Sequence, residues 1–195
     1  MSWWVTCQSG YSGAMSFTFY SGHPGLDLAG TVGYRDDPAR FDRLDGPDAV
    51  RRWLLAAEVL DEVPPVDAAE FAATVALREV IHRLAKARAH DLPADPADRA
   101  ALNLAAEPAP VHVRLRDDGR LIRTGDLAAA RATLARATVE LLGGPGADQL
   151  KECVGERCSR LFLDSSRRGT RRWCDMSECG NRAKAAAYRG RHTPA

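Results

Sequence analysis

The sequence lacks any run near the roughly 18 consecutive apolar residues that a membrane-spanning helix needs, so a helical membrane protein is excluded. No Lys or Arg precedes Arg35, so the basic stretch that opens a secretory signal peptide is missing and a cytoplasmic location is expected. The catalytic runs G-x-S-x-G, G-x-x-x-x-G-K-S/T and H-E-x-x-H do not occur. Glu79 and His82 have the E-x-x-H spacing of half a di-iron site, but no second copy completes it. His23, His82, His90, His112 and His192 are scattered, and none stands with a cysteine in a nucleophile signature. Nor is there an internal repeat. These absences argue against an enzyme.

Net charge is also nearly absent, since 27 Lys and Arg face 26 Asp and Glu. That balance excludes a uniformly basic nucleic-acid binder, yet it hides an asymmetry. From residue 150 onward there are 11 basic and 5 acidic side chains, which leaves the preceding body net acidic. Four of the five cysteines lie in the same tail. Two modules with different tasks are expected, an acidic body and a basic, cysteine-rich end.

The body reads as mostly helical. Residues 1–14 show no periodicity and no charge, and Met15 is a candidate true start; alternatively Trp3 and Trp4 pack on the body. Phe17 and Phe19 alternate with polar residues as in a short half-buried strand. Pro24 to Leu28 opens a short helix. Val50, Trp53, Leu54 and Ala57 form one apolar stripe behind Asp45-Gly46-Pro47. Asp67 with Glu70 resembles a capping box, and the helix it starts carries Leu77, Ile81 and Leu84 toward Ala89. Asp95-Pro96 starts another helix. Val111, Val113 and Leu115, a turn at Asp117-Asp118-Gly119, and Leu121-Ile122 predict a β-hairpin. A last helix runs from Asp126 to Gly143-Gly144-Pro145, where charge and cysteine content change. The expected fold class is α+β, with a mostly helical domain at 15–145 holding a small hairpin and a second module at 148–192.

Cys153, Cys158, Cys174 and Cys179 form the pattern C-x4-C-x15-C-x4-C. Two close pairs with a hairpin-sized spacer suit a tetrahedral four-thiolate Zn²⁺ site, one ion per chain. Disulfides are the competing reading, disfavoured for a chain kept in a reducing compartment. An iron–sulfur cluster is a third, although it lacks the usual C-x2-C spacings. Asp175-x-x-Glu178 predicts a helix start that sets Cys179 in the first turn, where free N–H groups stabilise a thiolate. Four protein ligands leave no open position, so such a zinc is structural.

The run from Cys174 to Arg182 (CDMSECGNR), with Phe162-Leu163-Asp164, Ser166-Arg167 and Arg171-Arg172-Trp173 before it, resembles the CGNR zinc finger. Leu26-Asp27-Leu28 with Thr31, Leu77-Arg78-Glu79 with Arg83, Leu102-Asn103 and Leu141-Leu142 resemble the ABATE domain that precedes this finger in a family of stress-induced transcription regulators. The resemblance runs from about Phe17 to Arg191. It implies a treble-clef-like finger that binds DNA and a body that senses a small-molecule effector. Residues 1–14 and Cys7 fall outside it.

Candidate DNA contacts are Arg167, Arg168, Arg171, Arg172, Arg182, Lys184 and Arg189, because guanidinium groups suit phosphate oxygens and guanine edges. Two readings stay open for Arg172 and Arg182, which in sequence are closest to the cysteines: they contact DNA, or they offset thiolate charge. Asp27, Thr31, Arg78 and Asn103 are polar positions in apolar helical segments. They form either an effector pocket between the first helix and the 67–89 helix, or a buried network that sets helix packing. A protein-interaction adaptor is the alternative to DNA binding, and a homodimer is expected of many DNA regulators.

Overall fold

The computed structural model describes residues 17–192. The expectations for residues 1–14, Met15 and Cys7 lie outside the described residues. Helices dominate, and each begins where a side chain or a proline settles its first turn. Helix α1 (Pro24–Ala29) is capped by His23, whose Nδ1 accepts from the Gly25 amide at 3.2 Å. The other ring nitrogen then carries the proton and donates to the Ala137 carbonyl at 3.1 Å. Burial pushes the His23 pKa down to about 4, which keeps this neutral, two-bond arrangement. A short pair, β1 (Val32–Gly33) and β2 (Phe41–Asp42), follows.

Helix α2 (Pro47–Ala56) starts at a proline whose missing N–H costs nothing in a first turn. Helix α3 (Ala68–Ala89) is capped by Asp67, which accepts from the Glu70 amide at 2.8 Å. The Glu70 side chain does not reach back to close a capping box; it pairs with Arg131 across the domain. Helix α4 (Pro96–Ala106) is capped by Asp95 and α5 (Leu127–Gly143) by Asp126. Between them lies the hairpin β3 (His112–Leu115) and β4 (Leu121–Thr124), turned at Gly119 with φ +77°.

Helix α3 runs through the middle of the body and packs on α1, α2, α4 and α5. Val50, Trp53 and Leu54 of α2, Leu77, Ile81 and Leu84 of α3, and Leu134 of α5 form the main apolar cluster. The contact between α1 and α5 is so close that a Cβ on Gly25 would meet Thr138 Oγ1 at 2.2 Å. Two expectations need correction. Residues 17–20 form no strand, although Phe17 and Phe19 pack against the core half-buried. The hairpin pairs as expected, but its apolar alternation buries nothing: all of β3 is exposed, Val113 and Leu115 by 62% and 77%, and the pair is tied to the body by Arg123, whose amide donates to Asp61 at 2.7 Å.

The chain leaves α5 through a 3₁₀ turn (Pro145–Gln149) into β5 (Leu150–Glu152), which pairs antiparallel with β6 (Leu161–Leu163). Leu150 and Leu161 on these strands join Leu26, Ala85 and Leu141 of the body in a second apolar cluster. The finger is thus seated on α1, α3 and α5 by its first strand pair. A single-turn π-helix (Met176–Gly180) then leads into the final helix α6 (Asn181–His192).

Candidate functional site

The two strands β5 and β6 hold the first cysteine pair. Cys153 follows β5, Cys158 precedes β6, and the Cys153 amide donates to the Arg160 carbonyl at 2.9 Å, closing the knuckle between them. Gly155 sits at its tip, where a Cβ would meet Cys158 Cβ at 3.2 Å and the Cys179 and Cys153 sulfurs at 3.4 and 3.5 Å. The second pair comes from the other side. Cys174 ends the loop after β6, and Cys179 lies in the π-turn, whose start is capped by Asp175 accepting from the Glu178 amide at 2.9 Å.

All four sulfurs lie within 4.8 Å of one another, and the Cys158–Cys174 and Cys174–Cys179 pairs are each 3.7 Å apart. A tetrahedral zinc with bonds of about 2.3 Å spaces its sulfurs by about 3.8 Å, so the donor set fits that ion. Separations of this size are far beyond a covalent S–S bond of about 2.05 Å, and all four cysteines are free thiols. Among the described residues no other cluster of His, Cys, Asp and Glu brings metal-ligating atoms together. Glu79 is taken by Arg35 and Arg78, which closes the di-iron reading of Glu79 and His82.

The surroundings favour thiolates. The Cys174 and Gly155 amides donate to Cys153 Sγ at 3.3 and 3.5 Å, and Arg182 donates to Cys179 Sγ at 3.1 Å. Crowding sets three of the four thiols against one another: hydrogen bonds from the neighbouring thiols hold the Cys153 thiol well below the usual thiol range, and the thiolate so formed pushes Cys158 and Cys174 up. A dication removes that conflict by favouring all four deprotonated forms at once.

Behind the metal centre a second group orders the loop. Asp164 is 3% exposed and takes Lys151 Nζ at 2.6 Å, the Ser166 amide at 3.0 Å and the Arg171 amide at 2.8 Å. Burial alone would raise its carboxyl, but these donors hold it well below the usual carboxylate range. Arg171 itself is turned inward. It donates to the Trp173 and Cys174 carbonyls and stacks over Phe162 at 4.6 Å.

The basic residues therefore divide. Arg167 and Arg168 are exposed on the loop after β6, Arg172 is exposed over Trp173 at 5.3 Å, and Lys184 and Arg189 are exposed on α6. Arg171 and Arg182 are engaged within the protein. Arg182 donates to Tyr34 Oη at 2.7 Å in addition to Cys179, so of the two arginines with a second reading it is the one at a thiolate.

The polar residues of the body divide too. Arg78, 2% exposed, donates to both Asp42 oxygens at 2.6 and 2.8 Å, to Glu79 at 2.9 Å and to Thr31 Oγ1 at 3.3 Å. Arg35 donates to Glu79 at 2.5 Å and to the Ala29 carbonyl at 3.0 Å. Two arginines and two carboxylates thus fill the space where α1 meets α3, in a largely closed network. Asp27 lies apart and accepts from the Ser21 amide at 3.0 Å; burial raises its pKa to about 6. Asn103 is a correction: it is exposed on α4 and does not join the others. An open cleft of about 870 Å³ lies further along α3, lined by His82, Arg83, Lys86 and His90 with Asp36 of the body and Glu152 of the finger.

Asp42, Arg35 and Tyr34 were missed by sequence reasoning, because their partners stand 36 to 148 positions away along the chain and no local pattern marks them; Asp164 was quoted with the finger motif but without its role.

Comparison with known families gives two matches. Residues 22–145 match the ABATE family, described as "Putative stress-induced transcription regulator", and residues 149–192 match the CGNR zinc finger. No curated protein matches the chain.

Proposed function

This chain belongs to the ABATE family and ends in a CGNR zinc finger that holds one structural zinc, and from that membership we propose that it regulates transcription by placing the finger on DNA. The observation that carries the proposal is the division of the finger's cations. Arg171 and Arg182 are spent on the fold, whereas Arg167, Arg168 and Arg172 stand exposed on the loop that leads to the metal. A zinc bound by four thiolates adds a local charge of −2, so a surplus of exposed arginine there is more than metal neutralisation requires.

Contact with phosphates releases counterions, and affinity then falls steeply with salt. Fluorescence anisotropy of the zinc-loaded full chain on a random duplex across a salt series tests this. Four phosphate contacts give a log–log slope near −3.6, from about −0.9 per contact. Replacement of Arg167 and Arg168 by Ala flattens the slope by roughly two contacts and weakens binding to all sequences alike. No binding by the zinc-loaded protein at low ionic strength overturns the proposal and leaves the adaptor reading. Effector sensing by the body belongs to the same proposal. Support for it lies in the seating of the finger on α1, α3 and α5, which lets a change in body packing reach the finger.

A further inference from the structure

Helix α6 is unusual among the described helices in having no face of bulky apolar side chains to bury. It packs chiefly on the π-turn that leads into it, and from Lys184 to Gly190 every residue is exposed. A 12-residue helix is at the short limit for stability on its own, so its persistence depends on the Asp175 cap and the metal-anchored turn before it.

Its composition says what kind of surface would cover it. Between Asn181 and His192 there are basic side chains and no acidic one. Lys184, Ala185, Tyr188 and Arg189 recur at i, i+1, i+4 and i+5, which places them on one face of an α-helix. Arg182 lies at the edge of that face and is held by Cys179 and Tyr34. The opposite side carries only Ala183, Ala186, Ala187 and Gly190, so the helix stays slim. A helix without bulky flanks fits the major groove, which is about 12 Å wide. A lipid surface is disfavoured because neither face is apolar enough to insert.

We propose that α6 lies in the major groove of duplex DNA, with Lys184 and Arg189 donating to guanine O6 and N7 and Ala185 against a thymine methyl. The inference rests on the DNA-binding reading of the finger and adds the element that reads sequence to the loop that holds phosphates. Lys and Arg are suited to the two acceptors on guanine, and a small methyl side chain permits the close approach that thymine recognition needs. Tyr188, on the same face, contributes a ring to the sugar–phosphate wall.

The test uses the zinc-loaded full chain and a duplex selected by it from a random pool. Lys184→Ala and Arg189→Ala are expected to lose about tenfold or more of the preference for that duplex over random DNA, whereas Arg167→Ala weakens both alike and keeps the preference. Substituting 7-deazaguanine, which lacks N7, in the selected duplex should reproduce the loss for the parent and have little further effect on the variants. Ala185→Glu places a charge against the bases and should abolish selective binding. Zinc content and circular dichroism equal to the parent's show that each variant is folded. If the parent binds DNA but selects no sequence, or if the variants discriminate as the parent does, the groove proposal fails and phosphate binding by the finger stands. If the parent binds no DNA at low salt, both proposals fall together.

Discussion

Arg182 joins the body to the metal centre: one of its guanidinium nitrogens donates to Tyr34 Oη at 2.7 Å while another donates to Cys179 Sγ at 3.1 Å. Tyr34 holds its position in the left-handed region, with φ +52°, and its ring packs edge-on against Phe41 at 5.5 Å. Arg157 approaches the same ring at 5.4 Å and forms a bidentate pair with Asp37 at 2.6 and 2.8 Å. A single loop of the body thus grips the finger at both cysteine pairs.

Loosening that grip should be measurable. Tyr34→Phe removes the acceptor and keeps the ring, and should cost about 1 kcal/mol in thermal unfolding. Tyr34→Ala also removes the ring that Phe41, Arg157 and Arg182 pack on, so limited proteolysis should cleave between residues 143 and 150 faster than in the parent. Identical cleavage in parent and variant would show that the loop does not restrain the finger.

Metal stoichiometry should follow the four sulfurs. The parent is expected to contain one zinc per chain, and Cys174→Ser to contain almost none, because its sulfur stands between those of Cys158 and Cys179. Chelation should unfold the finger while leaving most of the helical signal, which comes from α2 to α5. Full zinc occupancy in the Cys174→Ser protein would refute the four-cysteine assignment.

Arg78 should matter for stability more than for any ligand. Arg78→Met strands the Asp42 carboxylate, while Glu79 keeps Arg35, and should cost about 3 kcal/mol, reduced from the largest such values because Asp42 keeps 34% of its side chain exposed. Adding Asp42→Asn to it should cost much less than the sum of the two single changes. Asn103→Ala should be near neutral. Equal losses at Arg78 and Asn103 in chemical denaturation would contradict the closed network.

Asp27 gives a pH dependence with a definite sign. Its folded-state pKa, raised to about 6, stands above the unfolded value near 3.9, so the folded chain holds the proton more tightly between them. The stabilising contribution of the neutral carboxyl is complete below about pH 4 and is lost as pH rises toward 6. Asp27→Asn keeps an acceptor for the Ser21 amide and removes the charge. The variant should therefore gain about 1–3 kcal/mol over the parent at pH 7 and little or nothing at pH 4, in urea titrations at both values. A stability difference that does not change with pH would refute the buried-carboxyl account.

Much of this protein was legible in its sequence because it depends on neighbours along the chain. Helix starts at Asp67, Asp95, Asp126 and Asp175 follow from side chains that reach amides two or three residues ahead. The cysteine spacing was enough to indicate a four-thiolate centre, since two tight turns can each supply a ligand pair. Tertiary structure alone decided the roles of the charged residues. Arg78 and Asn103 look alike as polar positions in helices, yet one is sealed against Asp42 and the other faces water. Among the finger's arginines, Arg171 and Arg182 are claimed by carbonyls, a sulfur and Tyr34, while Arg167 and Arg168 are not. The reason is physical: a cap or a metal knuckle is closed by residues a few positions apart, whereas the partner of a long cation is whichever acceptor the packed helices bring within about 3 Å of it.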